Sequence, residues 1–191
     1  MFDQIDIETE LAEALVKLYQ NDYSLIQRRC CERSIVFRLG CYLVNSMEKH
    51  NLDVDCEYNK NGDKPKSLME KRYNYPDIII HKRETNNYNL LIMEVKTPND
   101  LNVDHFESDK KKLIGFTEMG AYSYKWGVHL YISATVCSMV WWQNGRAVQK
   151  VHYQVKKDTH DLMQVDNGNL RRMIKFEKWY IDNVPMQLKM R

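Results

Sequence analysis

The sequence predicts an α/β protein. Three observations carry that reading: two stretches before Met47 place apolar residues at helical spacing, two later stretches read as β-hairpins, and a further helical pattern lies between the hairpins. From about 7 to 19, Leu11, Ala14, Leu15, Leu18 and Tyr19 share one face and predict an amphipathic helix. Gln20 to Ser24 is polar and reads as a break. From Ile26 to Met47 the stripe Ile35, Val36, Leu39 and Leu43 predicts a long core helix with Gly40 inside it. Asp53 to Tyr58 alternates as a strand does, and Asn59 to Lys66 is turn chemistry.

Pro76 introduces Asp77 and the β-branched run Ile78-Ile79-Ile80, followed by His81; a polar turn, Glu84 to Tyr88, leads into Asn89 to Lys96. This is the first hairpin. Leu91, Met93 and Val95 fall on one side of its second strand and Leu90 and Ile92 on the other, so that strand is expected to be central and covered on both faces. Thr97 to Phe106 reads as a loop. A helix is expected from about Glu107 to Tyr122, opening on Ser108 and Asp109, and Val128 to Thr135 reads as a strand. Ser138 to Gln143 and Arg146 to Tyr153 flank Asn144-Gly145, the pair preferred in a two-residue type I′ turn, which makes the second hairpin. Lys156 to Asn169 is polar, and a basic amphipathic helix is expected over about 170 to 182. No repeat or linker divides the chain, so one domain over 1–191 is expected, with its core over about 26–154.

Composition narrows the function classes. Hydrophobic residues make up 43% and charged residues 28% of 191, as in an ordinary globular protein. No apolar run approaches the roughly 20 residues that span a bilayer. The acidic start, Met-Phe-Asp-Gln-Ile-Asp-Ile-Glu, lacks the basic and apolar regions of a signal peptide. Five cysteines, with no CxxC pair, read as reduced thiols, and a cytoplasmic protein is expected. The formal charge of +2 neither demands nor excludes nucleic acid, so any binding surface must be local.

The chemistry concentrates on the first hairpin. A symmetric register about Thr85 and Asn86 sets Asp77 opposite Glu94, with Cβ atoms about 4.5–5.5 Å apart, close enough for two carboxylates to hold one cation. Glu94 and Lys96 share a strand face at the end of an apolar surface. Burying them without partners costs several kcal/mol, on the order of magnitude expected for buried charges. A Mg²⁺ ion on the carboxylates, with the lysine facing a phosphate or a water nucleophile, compensates both. Glu32 extends the stripe of Ile35, Val36, Leu39 and Leu43 with a charge, an inefficient position unless it reaches the same sheet end.

Pro76-Asp77, sixteen intervening residues and Glu94-Val95-Lys96 resemble the signature of the PD-(D/E)xK nuclease superfamily. With the helical Glu32 upstream and the strand at Asp53 to Tyr58, the resemblance spans roughly 26 to 135. The Gln-x-x-x-Tyr element of one branch of that superfamily is not found. The resemblance implies a restriction-endonuclease-like fold, a central mixed sheet flanked by helices. It implies Asp77, Glu94 and the Val95 carbonyl as ligands of Mg²⁺ or Mn²⁺, Glu32 beside the metal, and Lys96 positioning water or neutralising developing charge. The expected activity is metal-dependent hydrolysis of phosphodiester bonds, endonucleolytic before exonucleolytic, leaving a 5′-phosphate and a 3′-hydroxyl.

Two basic groups, Lys64, Lys66, Lys71 and Arg72 before Asp77 and Lys110, Lys111 and Lys112 after Lys96, are read as phosphate-holding flanks. The expected partner is nucleic acid, DNA ahead of RNA, with no membrane. A homodimer is considered because cutting both strands of a duplex needs two sites. His81, Asp104, His105, Asp55 and Glu57 weigh more as packing or solvated residues than as ligands. Trp141 and Trp142 point to opposite strand faces and read as packing. The competing function is a nuclease-like module that binds nucleic acid or protein without catalysis, and the third reading is a structural α/β protein.

Overall fold

The computed structural model describes residues 6–61, 64–66, 75–100, 102–118, 120 and 122–165, with the backbone alone at 61, 64 and 65. The helix expected over about 170 to 182, together with Lys71 and Arg72, lies outside these residues.

Helix α1 (Ile7–Gln27) is capped by Asp6, whose carboxylate accepts the Thr9 N–H at 3.1 Å. The expected break at Gln20 to Ser24 is instead a kink inside this helix. Asp22 departs from helical geometry (φ −123°, ψ 17°), and its carboxylate accepts from Arg38 Nε at 2.9 Å and Tyr42 Oη at 2.6 Å. The polar stretch thus serves a contact with the next helix. The chain turns later, at Arg28 to Cys31, where Arg29 takes φ 52°. Helix α2 (Glu32–Met47) therefore starts at Glu32 and not at Ile26, and a 3₁₀ turn, Glu48–His50, closes it.

The strands are β1 (Asp53–Cys56), β2 (Lys60–Asn61), β3 (Lys64–Pro65), β4 (Ile78–His81), β5 (Leu91–Lys96), β6 (Trp126–Ile132), β7 (Val136–Gln143), β8 (Arg146–Val155) and β9 (Leu162–Gln164), with α3 (Val103–Thr117) between β5 and β6. Seven of them form one mixed sheet in the order β1-β4-β5-β6-β7-β8-β9, and β2 pairs only with β3. All neighbours in the large sheet are antiparallel except β5 and β6, which α3 joins as a crossover. β5 is central and buried, as expected. The β7–β8 hairpin turns at Asn144 (φ 50°) and Gly145 (φ 71°), the positive angles that a type I′ turn requires.

Helices cover both faces. The larger core packs Leu11, Leu15, Leu39 and Leu43 of α1 and α2 against Ile80, Met93 and Leu130, and the smaller packs Phe106, Leu113 and Phe116 of α3 against Ile79, Ile92 and Trp142. Leu90 joins the larger core, contrary to the alternation read from sequence. It precedes β5, and its N–H donates to Ile80 O at 2.9 Å before the regular alternation begins.

Helix α3 begins at Val103, not Glu107, because the Asn102 side chain accepts the Asp104 N–H at 2.9 Å and caps it there. Ser108 and Asp109 therefore sit inside the helix, with Asp109 on the stripe of Phe106, Leu113 and Phe116. Gly127 lets the helix close on the sheet: a Cβ at that position would stand 3.0 Å from Thr117 Cγ2, 3.2 Å from Trp142 Cβ and 3.3 Å from Leu113 Cδ2. Among the described residues, no helix is long and apolar enough to cross a membrane.

Candidate active site

The β4–β5 register pairs Ile78 with Met93, Ile79 with Ile92 and Ile80 with Leu91. One step beyond the end of β4 the same register brings Asp77 level with Glu94, as the symmetric hairpin predicted. Asp77 Oδ2 accepts the Val95 N–H at 2.7 Å, which pins this acid to the strand carrying Glu94 and Lys96. Burial raises the Asp77 pKa; the Val95 N–H and Lys96 oppose that shift, and Asp109 adds to it.

Glu94 is 1% exposed. Its Oε2 accepts from Lys112 Nζ at 2.8 Å, while Oε1 is buried with no hydrogen-bond partner among the described residues. Burial, reinforced by the charges of Asp77 and Asp109, pushes its pKa well above the ordinary carboxylate range. Lys96 Nζ stands 2.8 Å from Asp109 Oδ2, 3.4 Å from Asp100 Oδ2 and 3.9 Å from Glu32 Oε1. Burial works against its charge, but the Asp109 pair, followed by Glu32 and Asp77, outweighs it and holds the ammonium above its usual pKa.

Glu32 is the first residue of α2, where the helix dipole favours an acid. Its Oε2 accepts from Thr97 Oγ1 at 3.5 Å. Burial raises its pKa to about 7; Lys96 opposes the shift, and Asp77, Asp100 and Asp109 add to it.

Two further members come from α3. Lys112 donates to Asp109 Oδ1 at 3.0 Å as well as to Glu94. Asp109 thus bridges Lys96 and Lys112, and it is buried. Lys112 is read from sequence as a phosphate-holding flank, and Asp109 is not read as part of the site, although it lies three residues after Phe106 and four before Leu113. That signal becomes visible once the helix is started at Asn102. His129 of β6 pairs with Glu94 across the parallel strands, and its Nε2 lies 4.0 Å from Asp109 Oδ2. Burial lowers its pKa to about 4, so the imidazole is neutral at neutral pH.

Glu32, Asp77, Glu94 and Asp109 thus converge against two ammonium groups, leaving excess negative charge in a buried place. Among the described residues no three carboxylate, imidazole or thiol groups form a ready-made metal cage. Mg²⁺ does not need one, since it commonly binds through one or two carboxylates and keeps several waters. The all-oxygen donors Asp77 and Glu94, the orphaned Glu94 Oε1 and the raised carboxyl pKa values fit a divalent cation of that kind. The Val95 carbonyl follows Glu94 in β5, and Glu32 reaches the end of that strand from α2 through Thr97 at 3.5 Å.

The basic flanks differ from expectation. Lys66 is 1% exposed, not a surface contact: its Nζ donates to Tyr124 Oη at 2.6 Å and lies 5.2 Å and 5.1 Å from the Tyr58 and Tyr124 ring centroids. Lys112 is turned into the acid cluster. Lys110 pairs with Glu107 at 3.5 Å, Lys111 is exposed, and Lys64 lies in β3 with its side chain outside the described residues. His81 is held by Asp55 Oδ2 at 3.0 Å, with Arg83 on the same carboxylate; His105 pairs with Asp100 at 2.9 Å, and Asp104 is exposed. Trp141 and Trp142 enter opposite cores, as read.

A cavity of about 630 Å³ opens beside the acids, lined by Glu32 and Asp77 together with Arg33, Phe37, Glu57 and Tyr75. Compared with known proteins, the chain matches no protein-family model and no curated relative.

Proposed function

We propose that this chain is a metal-dependent nuclease of the PD-(D/E)xK type, with a restriction-endonuclease-like fold, that hydrolyses phosphodiester bonds of DNA by attack of water. The observation that supports it best is the Asp77 carboxylate bonded to the backbone of the strand that ends in Glu94-Val95-Lys96. Asp77, Glu94 and the Val95 carbonyl would hold Mg²⁺ or Mn²⁺, with Glu32 beside them. Such an ion polarises a phosphoryl oxygen and acidifies bound water.

The residues of the chain supply the rest. Lys96, kept protonated by Asp109, is no proton acceptor; it donates to the phosphate or the attacking water and offsets charge developing on the phosphorus oxygens. Asp109 is a positioning residue that aims the Lys96 ammonium. Glu32, ionising near neutral pH, is suited to take the proton of the attacking water.

Purified protein is expected to cleave DNA oligonucleotides with Mg²⁺ or Mn²⁺ and not with EDTA. Glu94→Ala and Lys96→Ala are each expected to lower kcat by about 100-fold or more, the scale of losing one charge-stabilising group. Cleavage that survives unchanged in both variants refutes the assignment.

A further inference from the structure

The cavity beside the acids carries chemistry that hydrolysis alone does not use. Phe37 and Tyr75, two of its lining residues, are 60% and 49% exposed, unusual for rings of this size. Phe37 lies four residues, one helical turn, beyond Arg33, so these two share a side of α2, and both line the cavity together with Glu32. Tyr75 immediately precedes the Pro76-Asp77 pair. The aromatic surface is therefore continuous with the proposed reacting centre.

Charge decides what fits there. Among the described residues, Glu32, Glu57 and Asp77 line the cavity against one cation, Arg33, which is paired with Glu57 at 2.7 Å. A phosphate would be repelled, while a flat uncharged group would cover two exposed rings. The volume, about 630 Å³, lies within the range of small-ligand pockets. In a nucleic acid strand that group is the base. A base paired inside a duplex is stacked on its neighbours and must leave the stack to reach such a pocket, whereas unpaired bases stack readily on aromatic side chains.

We propose that this cavity receives an unpaired nucleobase adjacent to the scissile phosphate, in contact with both Phe37 and Tyr75, so that the substrate is single-stranded or locally opened DNA. The inference rests on the nuclease reading above and adds the substrate class to it.

The test is equilibrium binding of a single-stranded oligonucleotide carrying 2-aminopurine, whose emission falls on stacking, in EDTA so that no cleavage occurs. The parent protein should quench the probe and bind the strand more tightly than the matching duplex. Phe37→Ala and Tyr75→Ala should each weaken binding about ten-fold, the scale of one lost base stack, and reduce quenching, while Phe37→Trp retains both. Circular dichroism checks that the variants are folded.

An unquenched probe, or alanine variants that bind as the parent does, overturns the inference. Metal-dependent cleavage by the parent separates the two readings. Cleavage with no quenching leaves the nuclease and removes the base pocket. Quenching with no cleavage keeps base binding and removes the nuclease, and the absence of both removes both.

Discussion

Glu32 and Lys96 face each other at 3.9 Å, yet their ionisation is driven in different directions by the same surroundings. Burial raises the Glu32 pKa to about 7, from an ordinary 4.5. Its native state holds a proton more tightly than the unfolded chain does, so this group's contribution to stability is complete below about pH 4.5 and is lost as pH rises through about 7. The raised values of Glu94 and Asp77 act in the same sense. Glu32→Gln, which stays uncharged, should therefore gain stability relative to the parent between pH 5 and pH 8 in thermal melts. The same substitution should remove a rise of cleavage rate with pH. A parent and a variant with parallel pH profiles for both quantities would show that Glu32 does not titrate there.

Helix α3 is the element on which the site depends most, because it brings Asp109 and Lys112 to Glu94 and Lys96. Its approach to the sheet is set by Gly127. Gly127→Ala should push the C-terminal half of α3 outward, costing about 1–3 kcal/mol by overpacking. It should also reduce metal-dependent cleavage although residue 127 carries no chemistry. Denaturant unfolding read alongside activity checks both. The elements most legible in the sequence were the hairpins, since period-two alternation and Asn144-Gly145 act through neighbouring residues. The kink at Asp22 was illegible because Arg38 and Tyr42, which hold its carboxylate, are a helix away. The start of α3 was misplaced because Asn102 competes with Ser108 and Asp109 as a cap, and that error concealed Asp109. The burial of Lys66 depends on Tyr124, far along the chain, and no local pattern announces it.

At the scale of the whole molecule, the acids and lysines lie where α2, the first hairpin and α3 meet, at one end of β5. Acids in excess over ammonium groups destabilise the native state there, and a bound divalent cation should relieve this. A ligand at about 100 times its Kd adds about 2.7 kcal/mol to stability, which for a domain of this size is a Tm rise of roughly 5–10 °C. Mn²⁺ is expected to produce a shift of this order in calorimetry, larger at pH 8 than at pH 6, and Glu94→Ala should abolish it. A Tm indifferent to Mn²⁺ would count against the metal site. Asp77, Glu94 and Lys96 were visible from sequence because strand pairing made one hairpin enough to join them, whereas the members on α3 required the crossover.

That crossover bears on the order in which the protein is made. β5 pairs in parallel with β6, so the strand beside Glu94 and Lys96 is supplied only after α3 has been synthesised. A nascent chain that stops short of Trp126 already contains Glu32, Asp77, Glu94, Lys96 and Asp109, but lacks Val140 and Trp142, which complete the core under α3. The nuclease proposed above would be silent on the ribosome and become active only as the last strands of its sheet close.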